Sequence, residues 1–288
     1  MPAFYYDGVP LHYRQYGYGE PVLLIHGLGC SGADWALQVS ALEQQFCIIV
    51  PDLPGCGSSA PPRSGYSIAG FALTLWALIN HLKVSRVNIV GFSMGGAVAL
   101  EMVLQNPLRV PRLALINSLA TYQDNWHKWV YARISAASIR FFGMHRAANI
   151  FATGLFPEPW QIKMRDRAAE IVASVPAAAY LGMSDALEEW SATDRLGRVR
   201  SRTLVIAGEH DHTPLLEKRA LAAQLHASLV VVRGSRHGTP FDASKATNCC
   251  LLAWLTDQPS PPYDRLACDT VAGVETRALI RSRVEEHA

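Results

Sequence analysis

Val90-Gly91-Phe92-Ser93-Met94-Gly95-Gly96 decides how this chain is read. A run rich in apolar, β-branched residues, Arg86 to Val90, leads in. A run of small and apolar residues, Gly96 to Leu104, leads out. A strand that turned sharply into a helix here would put Ser93 on a tight corner with its hydroxyl exposed. Such a corner strains the serine backbone. The positions two before and two after it must lack side chains, because a Cβ there would clash across the turn. G-x-S-x-G alone is also the wording of an ordinary Gly-Ser turn. With a strand before it and a helix after it, the geometry is that of a nucleophile elbow.

Composition sets the outer limits. The 288 residues, half of them hydrophobic, suffice for one large domain or a core with an insert. The formal charge is +2 and the pI is near 8.2. There is no basic stripe and no block of like charge, so nucleic acid is not an expected partner. No apolar run approaches a membrane span. Met1 to Asp7 has no basic region followed by an apolar one, so a secretory leader is not expected. Cysteines 30, 47, 56, 249, 250 and 268 show no C-x-x-C spacing. They read as free thiols in a reducing compartment, and the expected location is cytoplasmic.

Strands and helices alternate on both sides of the elbow. Phe4 to Tyr6 and Val9 to Tyr16 form a hairpin around Asp7-Gly8, a pair that tight hairpin turns prefer. Pro21 to Ile25 is a short continuous apolar run, as a buried parallel strand requires. Cys47 to Val50, Leu113 to Ile116, Thr203 to Ala207 and Leu229 to Val232 read likewise. Helices are expected from about Ala33 to Gln44, from a Ser67 cap to His81, from Pro214 to Leu225 and from Phe241 to Leu255. Between Leu119 and about Leu196 no strand-like run occurs; Ala, Arg and aromatic residues recur there in helical segments broken by prolines. The chain therefore divides into a core at 1–118 and 197–258, a helical cap at 119–196, and a weakly periodic, charged tail at 259–288 that reads either as disordered or as a loosely packed helix. In such sheets ligands bind at the carboxyl ends of the strands. The elbow and the loops after Ile25, Val50 and Ile116 all occur at that end.

A serine hydroxyl needs a base, and the base needs an orienting acid. Of the ten histidines, His12, His81, His127, His145, His226 and His287 fall on elements or the tail, away from strand tips. His237 follows the last strand in a glycine-flanked loop, and is the expected base. Asp211, in Gly208-Glu209-His210-Asp211, is the expected acid. Glu209 sits nearer the strand, and the tip one strand earlier offers only Asn117-Ser118. His210 and His212 raise a metal question, but their spacing puts neither on a common helical face, and no metal is expected. Backbone N–H groups of Met94 and Leu28 are the expected oxyanion donors. His26 would brace the Leu28 loop. His26, Trp126, Trp129 and Phe156 are candidates for the substrate pocket, and the Met94 side chain is expected beside the chemistry.

The motif order is Ser93, Asp211, His237. His26-Gly27-Leu28-Gly29, Asp52-Leu53-Pro54-Gly55-Cys56-Gly57-Ser58, the elbow, and the acid and base loops together resemble the α/β-hydrolase fold family. The likeness runs from about Phe4 to Leu255. Its elbow and Gly208-Glu209-x-Asp211 loop are most similar to small bacterial esterases and 3-oxoadipate enol-lactonases. The resemblance implies a mostly parallel, eight-stranded α/β sheet flanked by helices, with the helical cap inserted. It implies a cofactor-free serine hydrolase acting on a small-molecule acyl substrate, expected to be a carboxylic ester. A lactone, thioester or activated carbon–carbon bond would suit the same triad. A ligand receptor that retains the triad is the alternative outside enzymes. Relatives with a nucleophilic aspartate are poor models.

Overall fold

A computed structural model describes residues 3–123 and 126–258, with backbone alone at residue 3 and at 126–135. The expected disordered or loosely helical tail, Cys268 and His287 lie outside the described residues. So do the side chains of Trp126, His127 and Trp129.

The hairpin forms as expected. β1 (Ala3–Tyr6) and β2 (Val9–Tyr16) pair antiparallel, with Tyr6 opposite Val9. The two turn residues, Asp7 and Gly8, both have positive φ, at 50° and 69°. This is the backbone of a turn that follows the right-handed strand twist. β3 is Glu20–Ile25. The helix expected from Ala33 is shorter: a 3-10 turn, Gly32–Trp35, precedes α1 (Ala36–Leu42). β4 (Phe46–Pro51) is followed by α2 (Ile68–His81), where Ser67 Oγ accepts from Gly70 N at 3.0 Å. β5 (Asn88–Phe92), α3 (Met94–Gln105) and β6 (Arg112–Ile116) come next.

Three helices separate β6 from the next strand. α4 (Trp126–Leu155) is broken at Gly143, which has a φ of 78°, and α5 (Ile162–Ser174) and α6 (Ala177–Glu188) follow. Then come β7 (Arg202–Gly208), α7 (Leu215–Gln224) and β8 (Ser228–Val232). The expected last helix is two: α8 (Thr239–Asp242) and α9 (Ser244–Leu255). The break has a local cause. The Asp242 carboxylate turns back to accept from Ser235 Oγ and Arg236 N, and Ala243 adopts a non-helical φ of −135°.

The eight strands form one sheet in the order β1-β2-β4-β3-β5-β6-β7-β8, antiparallel at β1-β2 and β2-β4 and parallel from β4 to β8. Successive residues point to opposite faces, and the core divides accordingly. Leu23, Ile25, Ile89, Leu113 and Leu115 pack with α2 and α3. Val22, Leu24, Val90, Phe92, Ile206 and Val232 pack with α1 and α9. The register sets Ile25 beside Gly91 and Phe92 beside Ile116. The strand tips that carry the loops are thus brought level. No helix among the described residues is long and apolar enough to cross a membrane.

Candidate active site

Ser93 sits at φ 53°, ψ −120°, between β5 and α3. A non-glycine residue holds that conformation only when its surroundings over-determine it. Ser93 N donates to Ile116 O, and Gly96 N to Ser93 O, each at 2.9 Å. A Cβ on Gly91 would come within 2.3 Å of Gly95 O, across the turn. One on Gly95 would come within 2.2 Å of Ile25 O. The second clash is therefore with the neighbouring strand rather than within the corner itself.

Ser93 Oγ lies 2.9 Å from His237 Nε2, and His237 Nδ1 lies 2.7 Å from Asp211 Oδ1. With its proton on Nδ1, His237 donates to the carboxylate and accepts from the hydroxyl. Asp211 Oδ1 also accepts from Thr213 N at 3.2 Å. Its Oδ2 accepts from Thr213 Oγ1 at 2.6 Å and from Lys218 Nζ. Burial works to raise the Asp211 carboxyl. The His237 ring and the Lys218 ammonium outweigh it and hold the group well below the usual carboxylate range. Glu209 turns away and accepts from Gly234 N at 2.8 Å.

His26 is buried and stands outside the cavity wall, correcting its assignment to the substrate pocket. It braces the loop: Nδ1 meets Gly27 O at 2.9 Å, and Nε2 accepts from Leu53 N at 2.9 Å. Burial pulls its pKa down, in keeping with a neutral ring that accepts from an amide. The Met94 side chain packs in the core and leaves the cavity to others, a second correction. Its backbone nonetheless opens α3, where helix N–H groups are free to face an anion. Asp52 closes the neighbouring loop, accepting from Gly32 N and Ser58 N at 2.8 and 2.9 Å.

Above Ser93 and His237 lies a cavity of about 760 Å³, within the usual range for small-molecule sites. Leu28, Phe92 and Phe241 wall it from the sheet side; Phe151, Phe156, Ile171 and Tyr180 wall it from α4 to α6. Phe156 lines this cavity. Trp190 is buried against Glu101 instead, and Phe141, Phe142 and Trp160 face water. Cys30 also lines the cavity, but burial pushes its thiol well up. Thiolate is the reactive form, so the Cys30 thiol is held in its unreactive state. His212 stands over His237 with ring centroids 4.2 Å apart. Asp211, His212 and His237 hold potential metal-ligating atoms within 4.8 Å of one another. Both Asp211 oxygens are already occupied by hydrogen bonds, with an ammonium beside them.

Residues 20–243 match the model of the alpha/beta hydrolase fold. The chain belongs to the alpha/beta hydrolase fold family. An uncharacterized protein of Mycobacterium tuberculosis is 40% identical over 112 residues, 39% of this chain. The chain covers only 33% of that relative's length. RutD of Variovorax paradoxus, a protein named for carbamate hydrolysis, is 32% identical over 212 residues, which is 70% of this chain and 79% of RutD. Among solved structures, the enol-lactonase from Burkholderia xenovorans LB400 superimposes with a TM-score of 0.81. It is 26% identical and covers 88% of this chain and 100% of its own.

Three residues of this site escaped sequence reading. Asn117, at φ 48°, donates through Nδ2 to His237 O and Thr239 Oγ1, both at 2.7 Å, and so anchors the base loop. Asp242, on α8, anchors the same loop by accepting from Ser235 Oγ and Arg236 N. Lys218 is fully buried on α7 against Asp211. Asn117 had a signal, being a polar residue at a strand tip. Lys218 had none, since Leu215-Leu216-Glu217-Lys218-Arg219 reads as an ordinary surface helix.

Proposed function

We propose that this chain is a serine hydrolase that cleaves a carboxylic ester through an acyl-enzyme, with Ser93 as nucleophile, His237 as base and Asp211 as orienting acid. The observation that carries this reading is the unbroken chain Ser93 Oγ, His237 Nε2, His237 Nδ1, Asp211 Oδ1 beneath an apolar cavity.

Ser93 Oγ attacks the acyl carbon while its proton passes to His237 Nε2. The carbonyl oxygen becomes an oxyanion and is held by the backbone N–H groups of Met94 and Leu28. Each such donor contributes on the order of 100- to 1,000-fold in turnover. His237 then protonates the departing alcohol, and the acyl group remains on Ser93. Water loses its proton to His237, attacks the ester, and releases the acid and Ser93. Asp211 stays ionised throughout and stabilises the imidazolium.

The cavity lining favours an apolar acyl or alcohol group. Its surface is mainly apolar, although the charged Asp34, Lys163, Arg167 and Glu188 also line it. A lactone is the second reading, supported by the likeness to the enol-lactonase; a lactone is itself an internal carboxylic ester. The five described cysteines are free, which supports a reducing, cytoplasmic setting.

The test is a panel of p-nitrophenyl esters set beside enol-lactones, acyl-thioesters and carbamates, with trapping of an acyl group on Ser93. Ser93→Ala should fold as the parent does and lower kcat by roughly a millionfold. Hydrolysis by that variant near the parental rate would overturn the assignment.

A further inference from the structure

Lys218 is a fully buried lysine between two partly or wholly exposed neighbours, Glu217 and Arg219. A buried ammonium without partners would lose its proton. This one has two. Nζ reaches Asp211 Oδ2, and Asn117 Oδ1 at 3.3 Å. Asn117 Oδ1 also accepts from Gly208 N at 2.8 Å, and its Nδ2 holds the base loop. The amide's orientation is therefore fixed by its neighbours, with oxygen toward Lys218. One ammonium thus joins three strand-tip loops: the loop after β6, the acid loop after β7 and, through Asn117, the base loop after β8.

We propose that Lys218 is a positioning residue of the triad, whose ammonium holds the second oxygen of Asp211 and sets the pH at which His237 becomes a base. This rests on the triad reading given above. Among the described residues Asp211 is the anion in direct contact with His237, at 2.7 Å, and it is shared with Lys218. A positive charge on Lys218 therefore opposes protonation of His237 through the same carboxylate. The other groups facing this cluster are few. His212 approaches Asp211 Oδ1 at 3.4 Å, Ser93 faces His237 Nε2, and Glu217 and Tyr122 interact with the Asp211–Lys218 pair at longer range. Burial draws the Lys218 ammonium down while Asp211 opposes it. The paired carboxylate thus favours the charged form.

The experiment is a histidine NMR titration of the His237 ring in the full chain, in the parent, Lys218→Gln and Lys218→Met. The pH profile of p-nitrophenyl ester hydrolysis is recorded beside it. Gln can still donate to Asp211 but carries no charge; Met does neither. In both variants the His237 midpoint should rise, because the carboxylate it faces is no longer shared with a cation, and the acid limb of kcat/KM should move up with it. A midpoint that stays in place in Lys218→Gln would overturn the proposal, because only the charge has then been removed. If Lys218→Met does not fold, the Gln variant carries the test. The titration reads His237 whether or not an ester is the substrate. Absence of ester hydrolysis in the parent would count against the proposed function, and an unmoved midpoint against Lys218.

Discussion

Ser93 occupies a backbone conformation that an L-residue rarely adopts, and its neighbours hold it there. Gly95 is the tightest of them. A methyl group at that position would meet the Ile25 and His26 carbonyl oxygens at 2.2 and 2.5 Å, backbone atoms that cannot swing aside. Gly95→Ala is expected to destabilise the fold by about 3 kcal/mol or more, since overpacking against rigid backbone exceeds the usual 1–3 kcal/mol range. Urea unfolding checks this, and parental stability would refute it. At this scale legibility tracked locality. Ser93, Asp211 and His237 each announce themselves through glycines and position at a strand tip. Lys218 depends on Asn117, 101 positions earlier in the chain, and no local pattern encodes such a meeting. His26 and Met94 were placed near the chemistry by sequence adjacency. The pleat and the helix turn then sent their side chains elsewhere.

Parallel strands were the easiest elements to read, because burial on both faces demands continuous apolar runs. Helix ends were harder. α2 begins where the Ser67 side chain satisfies an orphan N–H. Ser67→Ala should cost about 1 kcal/mol, seen as a fall of about 2–4 °C in Tm, with activity retained. No fall would mean that the cap contributes nothing. The helix read from Phe241 to Leu255 divides because Asp242 is recruited by the base loop. Propensity within the segment cannot reveal a partner at Ser235. The break in α4 is of another kind. Gly143 takes a left-handed φ in a run otherwise well suited to helix, and a lone glycine mid-helix has no single reading.

At the scale of the molecule, the question is how α4–α6 are fastened to the sheet. Glu101, buried on α3, accepts from Trp190 Nε1 at 2.9 Å and from Arg195 Nη1 at 3.2 Å, with Arg195 Nη2 forming an ion pair to Oε2 at 2.9 Å. Both partners lie just after α6. Burial works to raise the Glu101 carboxyl, but Arg195 and Trp190 prevail and lower it. Its folded pKa thus lies below the unfolded value of about 4.3. The associated stability is complete above that value and is lost as pH falls through the folded pKa. Glu101→Gln should cost about 2 kcal/mol at pH 7, and the gap from the parent should narrow by pH 3. Urea unfolding at the two pH values measures it; a gap that widens in acid would contradict the argument. The insertion of a helical stretch between β6 and β7 was legible from the missing strand runs. Its fastening was not, since an acid inside an apolar helix carries no label for its partner.

The chain leaves the sheet and returns to it at one place. Thr121 bridges Ser191, and Ala192 N donates to Ala120 O at 2.8 Å. A ring closed at its neck by backbone bonds exerts no pull on the strands it hangs from. Its contour can lengthen or shorten at small entropic cost, while β6 and β7 keep their register and the hydroxyl below keeps its base. The roof over Ser93 is therefore free to diverge faster than the floor, and one set of strand-tip loops can be fitted to many ligands by redrawing what lies between the two halves of that clasp.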